Sequence, residues 1–254
     1  MYNTAMDHRY VQFGCGMCAP ETWQNFDAGP AFWLQSRLPF LAPLLVKKGF
    51  PPYPKNIHYG DVIKGLPVSP GTAEAVYCSH VLEHMTLDEF RLAIRNVFSY
   101  LRPGGTFRLV LPDLEQLIGL YTGDPTPAAC SRFMQESWLG EMTTPRGLRS
   151  IPTAVFGRAR HLWMWDYKGM EQELTDTGFT DIRRAQMGDS PDPRFKDVES
   201  DYRWKDCLGV DCKRPKQPST SSKSSQSASS HSLSAHSPDE TGRLQSATRD
   251  GAAP

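Results

Sequence analysis

The chain has 254 residues with 28 basic and 28 acidic side chains, so no net field recruits nucleic acid or an anionic membrane surface. No apolar run approaches the roughly 20 residues that span a bilayer, and the amino terminus, MYNTAMDHRY, lacks the apolar centre of a secretory signal. These features predict a cytoplasmic protein without a nucleic-acid or membrane partner, long enough for one large domain or two small ones.

Tyr10 to Phe13 forms the first predicted strand, followed at once by Gly14-Cys15-Gly16-Met17-Cys18-Ala19. Glycines at this point allow a tight turn and let a ligand approach the main chain. The run satisfies the dinucleotide fingerprint GxGxxG/A. That fingerprint also needs a helix opening at its third small residue and an acid about 20 residues further on. Here Pro20 follows Ala19 directly, and the next predicted strand, Trp23 to Phe26, ends at Asp27. No helix fits between them to hold a pyrophosphate, whereas a carboxylate ending the second strand can accept both hydroxyls of a ribose. An adenosine ligand without a pyrophosphate suits this spacing better than NAD. A third predicted strand, Asn56 to Tyr59, ends in Gly60-Asp61 and supplies a second carboxylate at the same sheet edge. Either aspartate alone could simply cap a strand-to-loop turn.

A βαβ unit occupies residues 75–113. Ala75 to Cys78 is a short apolar strand of the kind that is buried on both faces, and it ends in a polar cluster of Ser79, His80, Glu83 and His84. Thr86 with Glu89 makes a capping box. Leu87, Phe90, Ile94, Val97 and Leu101 then recur along one helical stripe, and Pro103-Gly104-Gly105 is expected to end the helix. Phe107 to Leu111 is the next strand, apolar apart from Arg108. Ligands of open α/β sheets sit at the carboxyl ends of strands, where the polar cluster stands. His80-x-x-Glu83-His84 also matches the HxxEH zinc-peptidase pattern. That motif needs both histidines on one helical face, and here the helix begins only at Thr86, so no metal is expected from it.

Beyond Asp113 a helix with Leu114, Leu117, Ile118 and Tyr121 on one face gives way to a loop-rich segment containing Pro125, Pro127, Pro145 and Pro152. Arg146, Arg149, Arg158 and Arg160 fall here, either to bind an acidic acceptor or as a solvated face. In His161-Leu162-Trp163-Met164-Trp165-Asp166, Asp166 can cap a helix carrying Met170 and Leu174 that Gly178 ends. If the segment is extended, 161, 163 and 165 share one side, giving a histidine flanked by indoles as a stacking wall for a flat or sugar-like acceptor. Alternatively, the tryptophans belong to the core. Cys15/Cys18 and Cys207/Cys212 could be paired into a zinc site, or Cys15/Cys18 into a redox motif. However, Cys15 lies between two glycines and the second pair lacks the usual knuckle spacing, so buried or incidental thiols are expected. Residues 216–254 are rich in Ser, Thr, Gln, Ala and Pro, with Leu233 and Leu244 the only large aliphatics. A disordered tail is expected there, leaving residues 1–215 as one α/β domain.

Taken together, Phe13-Gly14-Cys15-Gly16, Trp23-Gln24-Asn25-Phe26-Asp27, Gly60-Asp61, Ser79 to His84, and Leu101 to Asp113 resemble, in order, the class I S-adenosylmethionine-dependent methyltransferases, in particular the compact type 11-like bacterial group. The resemblance extends through 161–166 to 195–214. It implies a Rossmann-like, seven-stranded, mostly parallel sheet with one antiparallel strand, helices on both faces, and S-adenosylmethionine as cofactor. It also implies that Phe13, Gly14, Cys15 and Gly16 line the cofactor, that Asp27 holds the ribose, that Asp61 flanks the adenine, and that Ser79 and His80 lie beside the methionine moiety. The helix usual after the glycine turn is expected to be missing or reduced, and residues 28–55 (Phe32, Trp33, Leu41, Leu44) are expected to pack as a lid or a replacement helix. Methyl transfer is an in-line displacement governed by positioning, and a hydroxyl acceptor also benefits from a base of near-neutral pKa. His80, His84 and His161 are the candidates, with His80 and His161 placed as catalytic. The expected function is O-methylation of a small molecule or glycan precursor. The alternatives are a non-catalytic scaffold of the same fold and, third, a nicotinamide oxidoreductase.

Overall fold

A computed structural model of the chain describes residues 9–38, 40, 43, 51–140 and 160–216. Seven strands form one sheet: β1 (Tyr10–Phe13), β2 (Gln24–Asp27), β3 (Ile57–Tyr59), β4 (Ala73–Ser79), β5 (Leu101–Pro112), β6 (Thr180–Ala185) and β7 (Cys207–Lys213). Their order is β3-β2-β1-β4-β5-β7-β6. β1 pairs in parallel with both β2 and β4, β2 with β3, and β4 with β5. β7 alone runs antiparallel to both its neighbours. This is the expected mostly parallel sheet with one antiparallel strand. Strand order reverses between β1 and β4, so a crevice opens at their carboxyl ends.

The central strands are apolar because both faces are covered. Val11, Val76, Phe107, Leu109 and Leu111 are buried in one cluster with Phe90, Ile94 and Val97 of helix α2 (Leu87–Tyr100). The α2 capping box forms as expected, Thr86 accepting from the Glu89 amide and Glu89 from the Thr86 amide. Helix α5 (Tyr167–Thr177) is capped by Asp166, whose carboxylate accepts from the Gly169 amide, and it ends at Gly178. Helix α3 (Leu114–Gly123) buries none of its own residues, and Ile118 and Tyr121 of the expected apolar face are exposed. Helix α4 (Ala129–Glu136) follows it. No helix among the described residues is long and apolar enough to cross a membrane.

Two expectations change. Pro103-Gly104-Gly105 does not end the helix: α2 stops at Tyr100, and β5 begins at once with Leu101, which was expected on the helical stripe. The pairing runs Ala73↔Leu101 and then Ala75↔Thr106, so residues 102–105 bulge out of the ladder. Pro103 has no amide to give that ladder. A Cβ on Gly105 would lie 2.9–3.1 Å from three backbone carbonyls. These residues thus form a bulge at the start of β5 rather than cap a helix.

The second change concerns the missing first helix. Residues 14–23 join the parallel strands β1 and β2 with turns only, and the insertion does not replace that helix in place. It contributes α1 (Pro30–Arg37) after β2, where Phe32 is buried beside Cys15 and Ile57 while Trp33 is exposed. Leu41 and Leu44 lie outside the described residues, as do Arg146, Arg149, Arg158 and the Ser-rich tail beyond Lys216. The bare sheet face is covered by the segment between β6 and β7, namely a 3₁₀ turn (Pro193–Asp197) and the short helix α6 (Asp201–Trp204). Phe195, Val198 and Trp204 pack there with Tyr10, Trp23 and Tyr77. Trp23 Nε1 donates to the Arg194 carbonyl at 3.1 Å, and Thr22 Oγ1 donates to Asp197 at 2.6 Å.

Candidate active site

The glycine turn closes tightly on the loop after β4. Gly14 has φ +62°, and a Cβ there would stand 2.2 Å from Val81 Cγ2, so only glycine fits. Across the turn, Asp27 at the end of β2 accepts from the Gly16 amide at 2.8 Å through Oδ2 and from the Gly29 amide at 2.6 Å through Oδ1. A carboxylate has about four lone-pair sites, so two remain for ribose hydroxyls. Asp61 is held by its own turn: Oδ1 accepts from the Ile63 amide at 3.0 Å, and Oδ2 pairs with Lys64.

These elements enclose a cleft of about 350 Å³ that brings together Phe13, Gly14, Asp27, Asp61 and His80 of the predicted residues, with Val62, Ile63 and Met85 as apolar wall. That volume lies at the small end of sites for nucleotide-sized or drug-sized ligands. A carboxylate with spare acceptor sites, an apolar wall and a close backbone turn fit an adenosyl group. The other predicted residues stand apart from it. Cys15 is buried against Phe32 and Ile57, and burial pushes its thiol pKa upward. Gly16 reaches the cleft only through its bond to Asp27. Ser79 is buried, its hydroxyl unpartnered among the described residues. All six cysteines are free.

A second hollow of about 560 Å³ lies on the far side of the β4 loop, lined by His80, Glu83, His84, Asp113, Trp138, His161 and Tyr202 among others. His80 and His84 line both spaces, so they form the partition between them. His80 takes φ +56°, a conformation in which histidine is more common than most side chains. Its Nε2 donates to the Arg203 carbonyl at 2.9 Å, and its Nδ1 lies 3.2 Å from Glu83 Oε1. Burial opposes its charge, but bonds to Cys207, Glu83 and the Arg203 carbonyl outweigh that and raise its pKa to about 10. His80 is therefore a cation at neutral pH with both nitrogens engaged. It ties the β4 loop to α6.

His161 differs. It is buried, its Nδ1 has no partner among the described residues, and burial lowers its pKa. It stands in the second hollow, stacked on Trp138 with ring centroids 5.8 Å apart and planes 15° apart. The expected wall of 161, 163 and 165 does not form. Trp165 is core, packed on Phe90 at 4.3 Å, and Trp163 is exposed. The segment makes only one isolated bridge, between Asp113 and Trp165, so strand alternation never applied. The indole beside the histidine is Trp138, 23 positions earlier in the chain and invisible to any local pattern. Glu83, named in the polar cluster but given no site role, is fully buried, and its carbonyl anchors the Leu162 amide at 2.7 Å.

A glycine turn at a sheet switch point, a carboxylate on the next strand and a nucleoside-sized cleft define a nucleoside-cofactor α/β domain of the class I methyltransferase kind. Residues 45–109 match the family model described as a methyltransferase domain. Over that stretch the chain is similar to methyltransferase domains, enzymes whose cofactor is S-adenosylmethionine, and the described sheet and cleft agree with that similarity. No curated protein matches the sequence. Among solved structures it is similar to an S-adenosylmethionine-dependent methyltransferase of Thermotoga maritima, with 13% identity, TM-score 0.45, and 81% and 82% of the two chains covered. It is also similar to the Haemonchus contortus phosphoethanolamine N-methyltransferase 2, with 14% identity, TM-score 0.41, and 85% of this chain but 50% of that one covered.

Proposed function

We propose that the protein methylates an oxygen of a small-molecule or saccharide acceptor held in the 560 Å³ hollow. The observation that carries this reading is His161, a neutral imidazole with an unpartnered buried Nδ1, stacked on an indole and separated from the cofactor cleft only by the His80–His84 partition. The indole face of Trp138 and the phenol of Tyr202 suit a flat ring or the apolar face of a sugar. Glu83, Asp113 and Glu136 supply acceptors for its hydroxyls.

When bound, S-adenosylmethionine supplies a methyl group on a sulfonium, which departs as a neutral thioether with the electron pair of the broken S–C bond. The chain's part is to align the acceptor oxygen behind that methyl group as the O–C bond forms, and to take the hydroxyl proton on His161 Nδ1. Positioning supplies most of the rate, and the base contributes about 10²–10⁴-fold.

The test is turnover with methyl-labelled cofactor against a panel of phenols and monosaccharides, with the product's methyl assigned by NMR. An O-methyl product, lost with His161→Ala, is expected. Transfer to nitrogen or carbon would overturn the reading, as would cofactor binding without turnover on any hydroxylated acceptor.

A further inference from the structure

Three acceptor atoms converge beside the partition. Glu83 is fully buried, and its Oε1 lies 4.0 Å from His84 Nε2, while Oε2 has no hydrogen-bond partner among the described residues. One ligand atom from each of Glu83, His84 and His161 falls within 4.8 Å of the others. The two imidazole rings meet edge to face, with centroids 5.0 Å and planes 61° apart.

Each imidazole is pinned from behind. His84 Nδ1 donates to the Arg160 carbonyl at 3.0 Å, which leaves the lone pair on Nε2. The His161 ring bonds the Ser137 backbone, and because Nδ1 is unpartnered, that bond falls on Nε2 and leaves the lone pair on Nδ1. Metal-ligating histidines are held in this way, with the outer N–H on a carbonyl and the inner nitrogen bare. His80 Nδ1 lies 3.2 Å from Glu83 Oε1. The Glu83 carboxylate and the two imidazole nitrogens stand together with no hydrogen-bond donor recorded between them among the described residues. A water has only two protons for three acceptors, whereas a cation satisfies all of them at once.

We propose that Glu83, His84 and His161 bind a divalent transition-metal ion of the zinc kind, with its open coordination positions facing the acceptor hollow. Imidazole donors select such ions over magnesium or calcium, and three protein ligands with an open position are the pattern of catalytic zinc. Ligand bonds of about 2.0–2.2 Å place two ligands at most about 4.3 Å apart, so the side chains close slightly on binding. The site is distinct from the HxxEH arrangement, because the second histidine ligand comes from the segment after β5 rather than from His80.

For its chemical role this inference rests on the oxygen-acceptor reading. A cation at this point lowers the pKa of a bound hydroxyl. With the ion bound the hydroxyl proton passes to water in the hollow; without it His161 Nδ1 takes that proton, as in that reading. Binding itself is independent of that reading and is tested without cofactor or acceptor.

Chelator-stripped full-length protein is titrated with Co²⁺. We expect uptake of one ion per chain with visible d–d absorption and no thiolate charge-transfer band in the near-ultraviolet. Zn²⁺ should displace the cobalt. His161→Ala, with its fold checked by circular dichroism, should weaken binding at least about tenfold, since loss of even an outer-shell partner costs 10–100-fold. Cys18→Ser should leave the spectrum unchanged. Absence of stoichiometric uptake by folded wild-type protein, unchanged affinity in folded His161→Ala, or a thiolate band lost in Cys18→Ser would each overturn the site. Should His161→Ala fail to fold, His84→Ala carries the same expectation and the same refutation. Cobalt uptake without O-methyl transfer would sink the acceptor reading alone, and O-methyl transfer by protein that takes up no cobalt would sink the metal site alone.

Discussion

Arg108 interrupts an apolar strand, yet its side chain is fully buried. Nε meets Glu199 at 2.6 Å, Nη1 meets Asp211 at 3.1 Å and Asp189 at 2.9 Å, and Nη2 donates to the Gln186 carbonyl at 2.7 Å. The guanidinium also lies 4.6 Å from the Trp204 ring. Removing one member of such a network strands buried charge of the opposite sign. Arg108→Met should therefore cost about 3–5 kcal/mol in chemical denaturation, and a loss under 1 kcal/mol would show that the carboxylates are not held as charges. His80 makes a second prediction at this scale. Its folded pKa of about 10 exceeds the ordinary 6.5, so the native state binds the extra proton. The resulting stability is complete below about pH 6.5 and is lost as pH rises through about 10. The melting temperature of the wild type should fall across that window, and His80→Asn, which tolerates the positive φ, should flatten the fall. Parallel curves for the two proteins would refute the assignment.

Among the elements, α2 is specified locally and the glycine turn is not. The capping box of α2 is complete, and Thr86→Ala should cost about 1 kcal/mol with cofactor affinity unchanged, because Thr86 stands outside the cleft. The turn from Gly14 to Trp23 has no helix of its own to stiffen it. Phe195 in the 3₁₀ turn packs on Trp23 at 5.4 Å and on Tyr77 at 6.2 Å, and the same segment leads to Arg203, whose carbonyl holds His80. Phe195→Ala should therefore do two things: destabilise by about 3–5 kcal/mol and weaken S-adenosylmethionine binding under conditions where the protein is still folded. A calorimetric titration reads the second effect. Destabilisation with unaltered affinity would mean that the cover does not support the turn.

For the whole molecule, two spaces share one partition. Asp27 stands in the cofactor cleft and outside the acceptor hollow. Asp27→Asn keeps the shape but loses one acceptor oxygen and the charge. It should weaken S-adenosylmethionine binding about tenfold or more, as befits the loss of a charged hydrogen bond worth about 1.5–3 kcal/mol, while leaving cobalt uptake at Glu83, His84 and His161 unchanged. A coupled loss of both would show that the two spaces are one site.

The parts readable along the chain were those with a local physical cause. Short apolar strands, the Thr86–Glu89 cap and the Asp166 cap each depend on neighbours within a few positions, and the glycine turn followed by Asp27 carried the cofactor class. The Pro103-Gly104-Gly105 stop misled because glycine and proline serve a strand bulge as well as a helix end. What lay out of reach depended on long separations. Trp138 meets His161 only through the tertiary fold. The 193–204 segment covers the sheet face left bare by the missing helix because that face must be buried by something. The sequence by itself determined the short strands, the helix caps and a turn suited to an adenosine ligand, since hydrophobic period and turn chemistry act over short range. Its resemblance to methyltransferases implied the seven-stranded sheet and the cofactor. Only the tertiary structure decided that His80 is an anchored cation while His161 is a bare imidazole, because burial and partners from distant segments set which histidine keeps its proton.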